Sequence, residues 1–237
     1  MKERYHQGIF YPEGEALSSL VGEIRKEGRA KALILPHAEL KRCASLYREG
    51  FSYTEGKDRV IILCPLHNGR MEGERDFFFE GEVLPQSHMF HLGAEVNEAY
   101  AEEEPSGETI SAFIEKAMPD ASYAIIYCDI KTAAESKKLS SFLKKNDSPT
   151  TLFIISTNLS PKCAKKEEAE EWRKRAKEAL IDCSLILDKA NHHKLSFCGS
   201  GIIDAFERAF GGGWKHLADC VDDSTTAHSL LIKEESN

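Results

Sequence analysis

The chain has 237 residues, 41% of them apolar and 30% charged, with 31 basic against 39 acidic side chains and a net charge of −8. That is an ordinary globular composition with enough material for a substantial core. It argues against a general nucleic-acid or anionic-membrane binder, which needs a basic face. No apolar stretch reaches the roughly 18 residues of a membrane helix. The first residues, Met-Lys-Glu-Arg-Tyr-His, form no apolar signal core, so a cytoplasmic protein is expected. Seven cysteines, at 43, 64, 128, 163, 183, 198 and 220, contain no CxxC pair. An odd, scattered set of this kind predicts reduced thiols rather than a disulfide framework or structural zinc site.

In chain order, Glu15–Glu27 places Leu17, Leu20, Val21 and Ile24 at helical spacing. Ala30–Leu35 (AKALIL) and Arg59–Cys64 (RVIILC) are short apolar runs that read as strands buried on both faces. Phe77–Val83 adds a further strand. The acidic stretch Glu95–Glu104 reads as an exposed helix or loop rather than a cation site. Ser106–Met118 is amphipathic, with Ser106 as its expected N-cap. Tyr123–Cys128 (YAIIYC) and Thr150–Ser156 (TTLFIIS) are two more buried strands. They alternate with the helical stretches Thr132–Lys145 and Lys165–Ile181, the latter charged and solvated. Ile202–Phe210 is a last helix, and Ser224–Ile232 a strand near an edge. Strand and helix in alternation predict an α/β fold in one domain, with a largely parallel central sheet covered by helices on both faces.

Two histidines occupy matching places. His37 follows Ala30–Leu35 through Pro36, and His67 follows Arg59–Cys64 through Pro65. Proline ends the strand ladder and turns the chain outward. In open α/β sheets ligands bind where strands end at their carboxyl edge. Cys198, in Phe197-Cys198-Gly199-Ser200-Gly201, stands before a helix that Ser200 is placed to cap. A helix N-terminus favours a thiolate, which suits a metal ligand or a nucleophile. Two imidazoles and a thiolate leave coordination positions open and suit iron, copper or zinc better than magnesium or calcium. The other thiols read as packing residues: Cys64 and Cys128 end strands, Cys43 belongs to a helix, and Cys183 and Cys220 lie near element ends. His192 and His193 read as surface residues, and His88, His91, His216 and His228 stand alone. Asp219, Asp222 and Asp223 read as turn chemistry.

Several of these pieces resemble one family in order and spacing. HQGIFYPEG (His6–Gly14) resembles its AGxFYP, ALILPHA (Ala32–Ala38) its APHAGY, and VIILCPLHN (Val60–Asn68) its ILGPSHH. EPSGE (Glu104–Glu108) is similar to EHSIE, and TLFIISTNLSP (Thr151–Pro161) to its strand ending in SSDFSH. FCGSG and DSTTAHSLLI resemble its helix start and terminal strand. The family is Memo-like, also called AmmeMemoRadiSam system protein B, and the resemblance spans residues 1–237. It implies a fold like the class III extradiol dioxygenases and a metal site at His37, His67 and Cys198. It also implies iron or copper, with zinc a lesser choice, oxidoreductase-like chemistry, a small molecule or peptide in the cleft, and association with a radical-SAM protein.

Departures from the pattern are substantial. Asn158 and Pro161 replace an aspartate and a histidine, Pro105 and Asn68 replace histidines, and Glu39-Leu40 stands where the pattern has Gly-Tyr. Such losses remove groups that orient metal ligands or move protons. Glu108 and Asn158 are the remaining candidates for the pocket wall. Three functions follow as expectations: a metal-dependent oxidoreductase, a degenerate binding protein using the same cleft, and a Cys–His hydrolase for which no orienting carboxylate is identifiable.

Overall fold

Apolar runs of six or seven residues have one stable home, the middle of a sheet covered on both sides. A computed structural model, describing residues 4–82, 88–182, 195, 197–220 and 226–235, places them there. In chain order the elements are α1 (Gly14–Val21), β1 (Ala30–Leu35), α2 (Leu40–Phe51), β2 (Arg59–Pro65), β3 (Phe78–Gly81), α3 (Glu98–Glu103) and α4 (Pro105–Ala117). They continue with β4 (Ser122–Cys128), α5 (Ala133–Lys145), β5 (Thr151–Ser156), α6 (Lys166–Ile181), α7 (Ser200–Phe210), β6 (Lys215–Cys220) and β7 (His228–Glu234). One sheet of seven strands has the order β3-β4-β2-β5-β1-β7-β6. Its four central strands, β4, β2, β5 and β1, are mutually parallel, and the flanking strands pair antiparallel. The expected α/β architecture is therefore present.

Side chains alternate across the pleat with period two, so each strand feeds two cores. Leu33, Leu35, Val60 and Ile62 pack with α1, α2 and α4. Ala32, Ile34, Ile61 and Leu63 pack with α5, α6 and α7 on the other face. Burial on both faces makes these strands rigid supports for whatever follows their carboxyl ends. α5 starts with a reciprocal capping box between Thr132 and Glu135, which fixes its entry beside the end of β4.

Several boundaries differ from the sequence reading for local reasons. α1 ends at Val21 because Gly22 takes the left-handed conformation (φ 61°), which leaves Ile24 outside the helix. The N-cap of α4 is Glu104, whose carboxylate accepts from Ser106 N–H, with Pro105 in the first turn; Ser106 is not the cap. Similarly, Ser200 is the first residue of α7 and Gly199 its cap. β7, by contrast, lies near an edge as expected, one strand in, between β1 and the edge strand β6. β6 carries no apolar run that marks a strand, since its polar residues KHLADC follow the solvated pattern of an edge. The acidic stretch folds in part as α3, and its last residue, Glu104, is buried rather than exposed. Asp219 lies in β6 and binds Lys177, Ser229 and His216, so it is a strand-end ion pair and not a turn residue. Cys183, His192, His193, Asp222 and Asp223 lie outside the described residues. Among those described, no helix is long and apolar enough to cross a membrane.

One carboxyl in α7 makes stability depend on pH. Glu207 accepts a hydrogen bond from Trp214 Nε1 (3.0 Å). Burial pushes its pKa up from 4.5 to about 7; the Trp214 bond and Lys233 oppose the rise and Asp204 adds to it. The folded state thus holds this proton more tightly than the unfolded chain, and the associated stability is lost as pH rises from about 4.5 through about 7. Glu207→Gln keeps the acceptor without the charge. In urea unfolding the variant should be more stable than wild type by about 1–3 kcal/mol at pH 8, converging with it near pH 4.5. Equal midpoints at pH 8 would contradict this origin.

Candidate metal centre

The parallel strands deliver their ends to one edge, and three neighbours in the sheet build the site. β1 is followed by Pro36 and His37, β2 ends at Pro65 before Leu66 and His67, and β5, lying between them, ends in Ser156 and continues as Thr157 and Asn158. The β5 extension is pinned to β1 where Thr157 N–H donates to Leu35 O (2.8 Å). Cys198 arrives from the opposite core, just before α7.

Although β5 separates β1 from β2, the segments that follow them bring the two imidazoles into edge contact, with ring centroids 4.8 Å apart at 84°. Cys198 Sγ lies 3.4 Å from His37 Nε2. One donor atom from each of His37, His67 and Cys198 falls within 4.8 Å of the others, the one such His/Cys/Asp/Glu group among the described residues. Each ring is anchored from behind through its other nitrogen. His37 Nδ1 is 3.2 Å from Ser156 Oγ, and His67 Nδ1 is 2.5 Å from Glu104 Oε2. These bonds leave Nε2 of both rings directed inward.

The charges are mutually dependent. Cys198 is exposed at the cleft, and partial desolvation of its thiol acts upward, but His37, through charge and hydrogen bond, together with His67 and Thr157, holds it well below the ordinary thiol range. Burial pulls His37 down, yet the neighbouring Cys198 raises it overall. Hydrogen bonds to Cys198 and then Glu104 raise His67 to about 10 against the opposing effect of burial. Glu104 is lowered: burial acts upward and is outweighed by the bond and charge of His67, with His37 contributing. Each of the three groups thus favours the charged form of its neighbours, thiolate for Cys198 and imidazolium for the histidines. The buried thiols Cys64 and Cys128 go the other way, pushed far up by burial. A thiol pocket that stabilises negative charge is what a ligand or nucleophile requires.

Positioning of the thiolate depends on β5. Thr157 Oγ1 accepts from Gly199 N–H (2.9 Å) and lies 3.3 Å from Cys198 Sγ. The turn is as tight as its glycines allow, because a Cβ on Gly199 would stand 2.6 Å from Thr157 Cβ. The cap that Ser200 was expected to give is thus replaced by a hydroxyl from another strand.

Of the weaker expectations, Asn158 lines the cleft: its Nδ2 donates to His37 O (3.3 Å), and its Oδ1 is 3.1 Å from His228 Nδ1. His228 is buried beneath it and is not an isolated histidine. Glu108 does not line the cleft. One turn beyond Glu104, it lies under the N-terminal segment, accepting from Tyr5 N–H, His6 N–H and Tyr11 OH (3.1, 2.9 and 2.6 Å). Its role is to fasten that segment to α4. Glu104, which sequence reasoning passed over, takes the place beside the site. Its signal was the Glu-Pro step, a carboxylate cap followed by proline in the first helical turn. His91 pairs with Glu80 and His216 with Asp219, both away from this group.

A three-donor set of this kind fits a transition metal. Ligand atoms around a four-coordinate ion stand about 3–4 Å apart, compatible with the 3.4 Å between sulfur and His37 Nε2. A buried carboxylate on the outer nitrogen of a ligating histidine is the usual device for fixing its tautomer. Three protein ligands leave room for an exogenous one.

No protein-family model and no curated protein matches the chain. Among solved structures, the uncharacterized protein JW3007 from Escherichia coli K12 is similar at 11% identity, with a TM-score of 0.53, across 86% of this chain and 100% of that one. At that identity the similarity concerns the fold alone.

Proposed function

We propose that this is a Memo-like protein whose His37, His67 and Cys198 hold a redox-type transition metal, iron or copper, for oxidoreductase-like chemistry on a small molecule in the cleft. The observation that carries the reading is the outward anchoring of both Nδ1 atoms, by Ser156 and Glu104, which leaves two Nε2 atoms and a thiolate convergent. A bound metal would supply electron transfer and an open coordination position. His67 contributes a lone pair made more basic by Glu104, and Cys198 contributes a negative charge stabilised by the Thr157 hydroxyl. Asn158 holds the His37 backbone in place from the other side. The soft sulfur donor favours copper, iron or zinc over hard cations.

Elemental analysis of protein purified without an affinity-tag metal column tests the reading. Wild type should carry close to one iron or copper per chain, and Cys198→Ser should lose it. Absence of metal in wild type even after reconstitution would remove the proposal.

A second reading, a Cys–His hydrolase, gains support from Glu104. It is the orienting carboxylate that the sequence left unidentified, bonded to His67 on the side away from Cys198. Hydrolysis of 4-nitrophenyl acetate by chelator-treated wild type, absent in Cys198→Ser, would favour this reading over the metal one.

A further inference from the structure

The N-terminal segment lies against the cleft without belonging to a helix or to the sheet. Residues 4–12 turn back on themselves, with Gly8 N–H donating to Tyr11 O (2.8 Å) and Phe10 N–H to His6 O (3.0 Å). They reach α1 through Gly14, whose φ of 51° is a glycine conformation. Phe10 is the one residue of this segment that lines a cavity of about 280 Å³, which borders both imidazoles and is walled also by Ala38, Leu66 and Tyr100.

The polar contacts that hold the segment down gather on one residue. Glu108 Oε2 accepts from Tyr5 N–H (3.1 Å) and lies 3.2 Å from His6 Nδ1, and Oε1 accepts from His6 N–H (2.9 Å) and Tyr11 O–H (2.6 Å). Arg4 pairs with Glu115, and Leu40 N–H, at the start of α2, donates to Phe10 O (2.7 Å). Of the apolar side chains only Tyr11 belongs wholly to the core; Tyr5 and Phe10 pack on it in part, and Ile9 at the tip is 69% exposed. Such an attachment opens at lower cost than an apolar one. Glu108 is fully buried while the segment is down, and on release its carboxylate regains hydration while the freed N–H and O–H groups bond to water. The segment can therefore lift while the strands and α4 stay folded.

We propose that residues 4–12 are a hinged cover on this cavity, with Glu108 as the latch and Gly14 as the hinge. Lifting it withdraws Phe10 from the wall, so the cavity admits to the imidazoles a larger molecule than its closed form holds. Glu108 thus acts on the cleft from outside it, through the position of Phe10. That the cavity opens onto a metal centre rests on the reading of His37, His67 and Cys198 given above; the cover itself does not.

Amide-resolved hydrogen exchange by NMR on chelator-treated protein reads the opening. Leu40 is the informative amide, since it is bonded to Phe10 O and not to Glu108. In wild type the Tyr5, His6 and Leu40 amides should share one opening constant and exchange faster than the amides of β1 and β2. Glu108→Gln sets an NH₂ against at least one N–H donor and should speed all three about tenfold, the loss of a charge-assisted bond. Tyr11→Phe keeps the ring in the core and should speed them about threefold, which provides the test if Glu108→Gln fails to fold. Thr109→Cys places a thiol in the cavity wall, where the native side chain is 1% exposed. Its alkylation by iodoacetamide, located by peptide mass spectrometry, should accelerate by the same factor as the Leu40 amide when Tyr11→Phe is added. A Leu40 amide as slow as those of β1, or unmoved by the latch variants, would mean a fixed wall and overturn the proposal. Alkylation indifferent to Tyr11→Phe would overturn the cover's control of entry. Neither readout involves metal, so a chain that binds none counts against the metal reading alone, and a fixed wall counts against the cover alone.

Discussion

Gly201→Ala is expected to destabilise the protein by about 3 kcal/mol, the upper part of the range for an overpacked core position. A Cβ on Gly201 would stand 2.2 Å from Ile130 O and 2.7 Å from Ile130 Cβ. The first of these is a backbone atom, which cannot swing aside as a side chain can. The contact joins the first turn of α7 to the segment after β4, whose Asp129 N–H is tied to Phe77 O and Lys131 N–H to Glu135. Relief therefore requires moving α7 or the chain leading into α5, and α7 is the element that brings Cys198 to the imidazoles. Urea unfolding should show a lower midpoint with an unchanged slope, and Ser200→Ala, one residue earlier and half-buried, should change stability by no more than ~0.5 kcal/mol. Unchanged stability in Gly201→Ala would show that this close approach does not exist.

Metal affinity should fall 10- to 100-fold in Glu104→Gln, the usual cost of removing a group that orients a ligating histidine. The carboxylate does two things at once: one oxygen accepts from Ser106 N–H at the start of α4, and the other holds His67 Nδ1. An amide can keep only one of these as an acceptor. If its oxygen stays on the helix cap, its NH₂ faces His67 Nδ1 and favours the tautomer with the proton on Nε2, where the metal would bind. If the oxygen turns to His67, the cap is lost, at about 1 kcal/mol. Competition titration against a chelator at fixed pH measures the first effect and urea unfolding the second. Unchanged affinity and unchanged stability together would deny Glu104 both roles.

How much of this was legible in the sequence follows from where each signal resides. The four central strands were readable because burial on both faces forces continuous apolar runs. His37 and His67 stood out because a proline at each strand end marks the sheet edge at which they project. Cys198 stood out because glycines around a thiol before a helix signal close backbone approach, which Gly199 and Gly201 make against Thr157 and Ile130. Glu104 was not legible as a site residue, because in an acidic run its charge reads as solvated; only the three-dimensional meeting of α4 with the end of β2 buries it. Glu108 was misplaced for the same reason in reverse. One helical turn carries it from the cleft to the N-terminal segment, whose path over α4 has no sequence pattern. His228 read as isolated since its partner, Asn158, is 70 residues away and meets it only through the sheet. β6 escaped because an exposed edge strand needs no apolar run.

X-ray absorption at the metal edge of iron- or copper-loaded wild type tests the central claim most directly, since it reads the ligand atoms themselves. The arrangement of His37, His67 and Cys198 predicts a first shell with one sulfur and two imidazole nitrogens, the sulfur disappearing in Cys198→Ser. A shell of nitrogen and oxygen alone in wild type would contradict it.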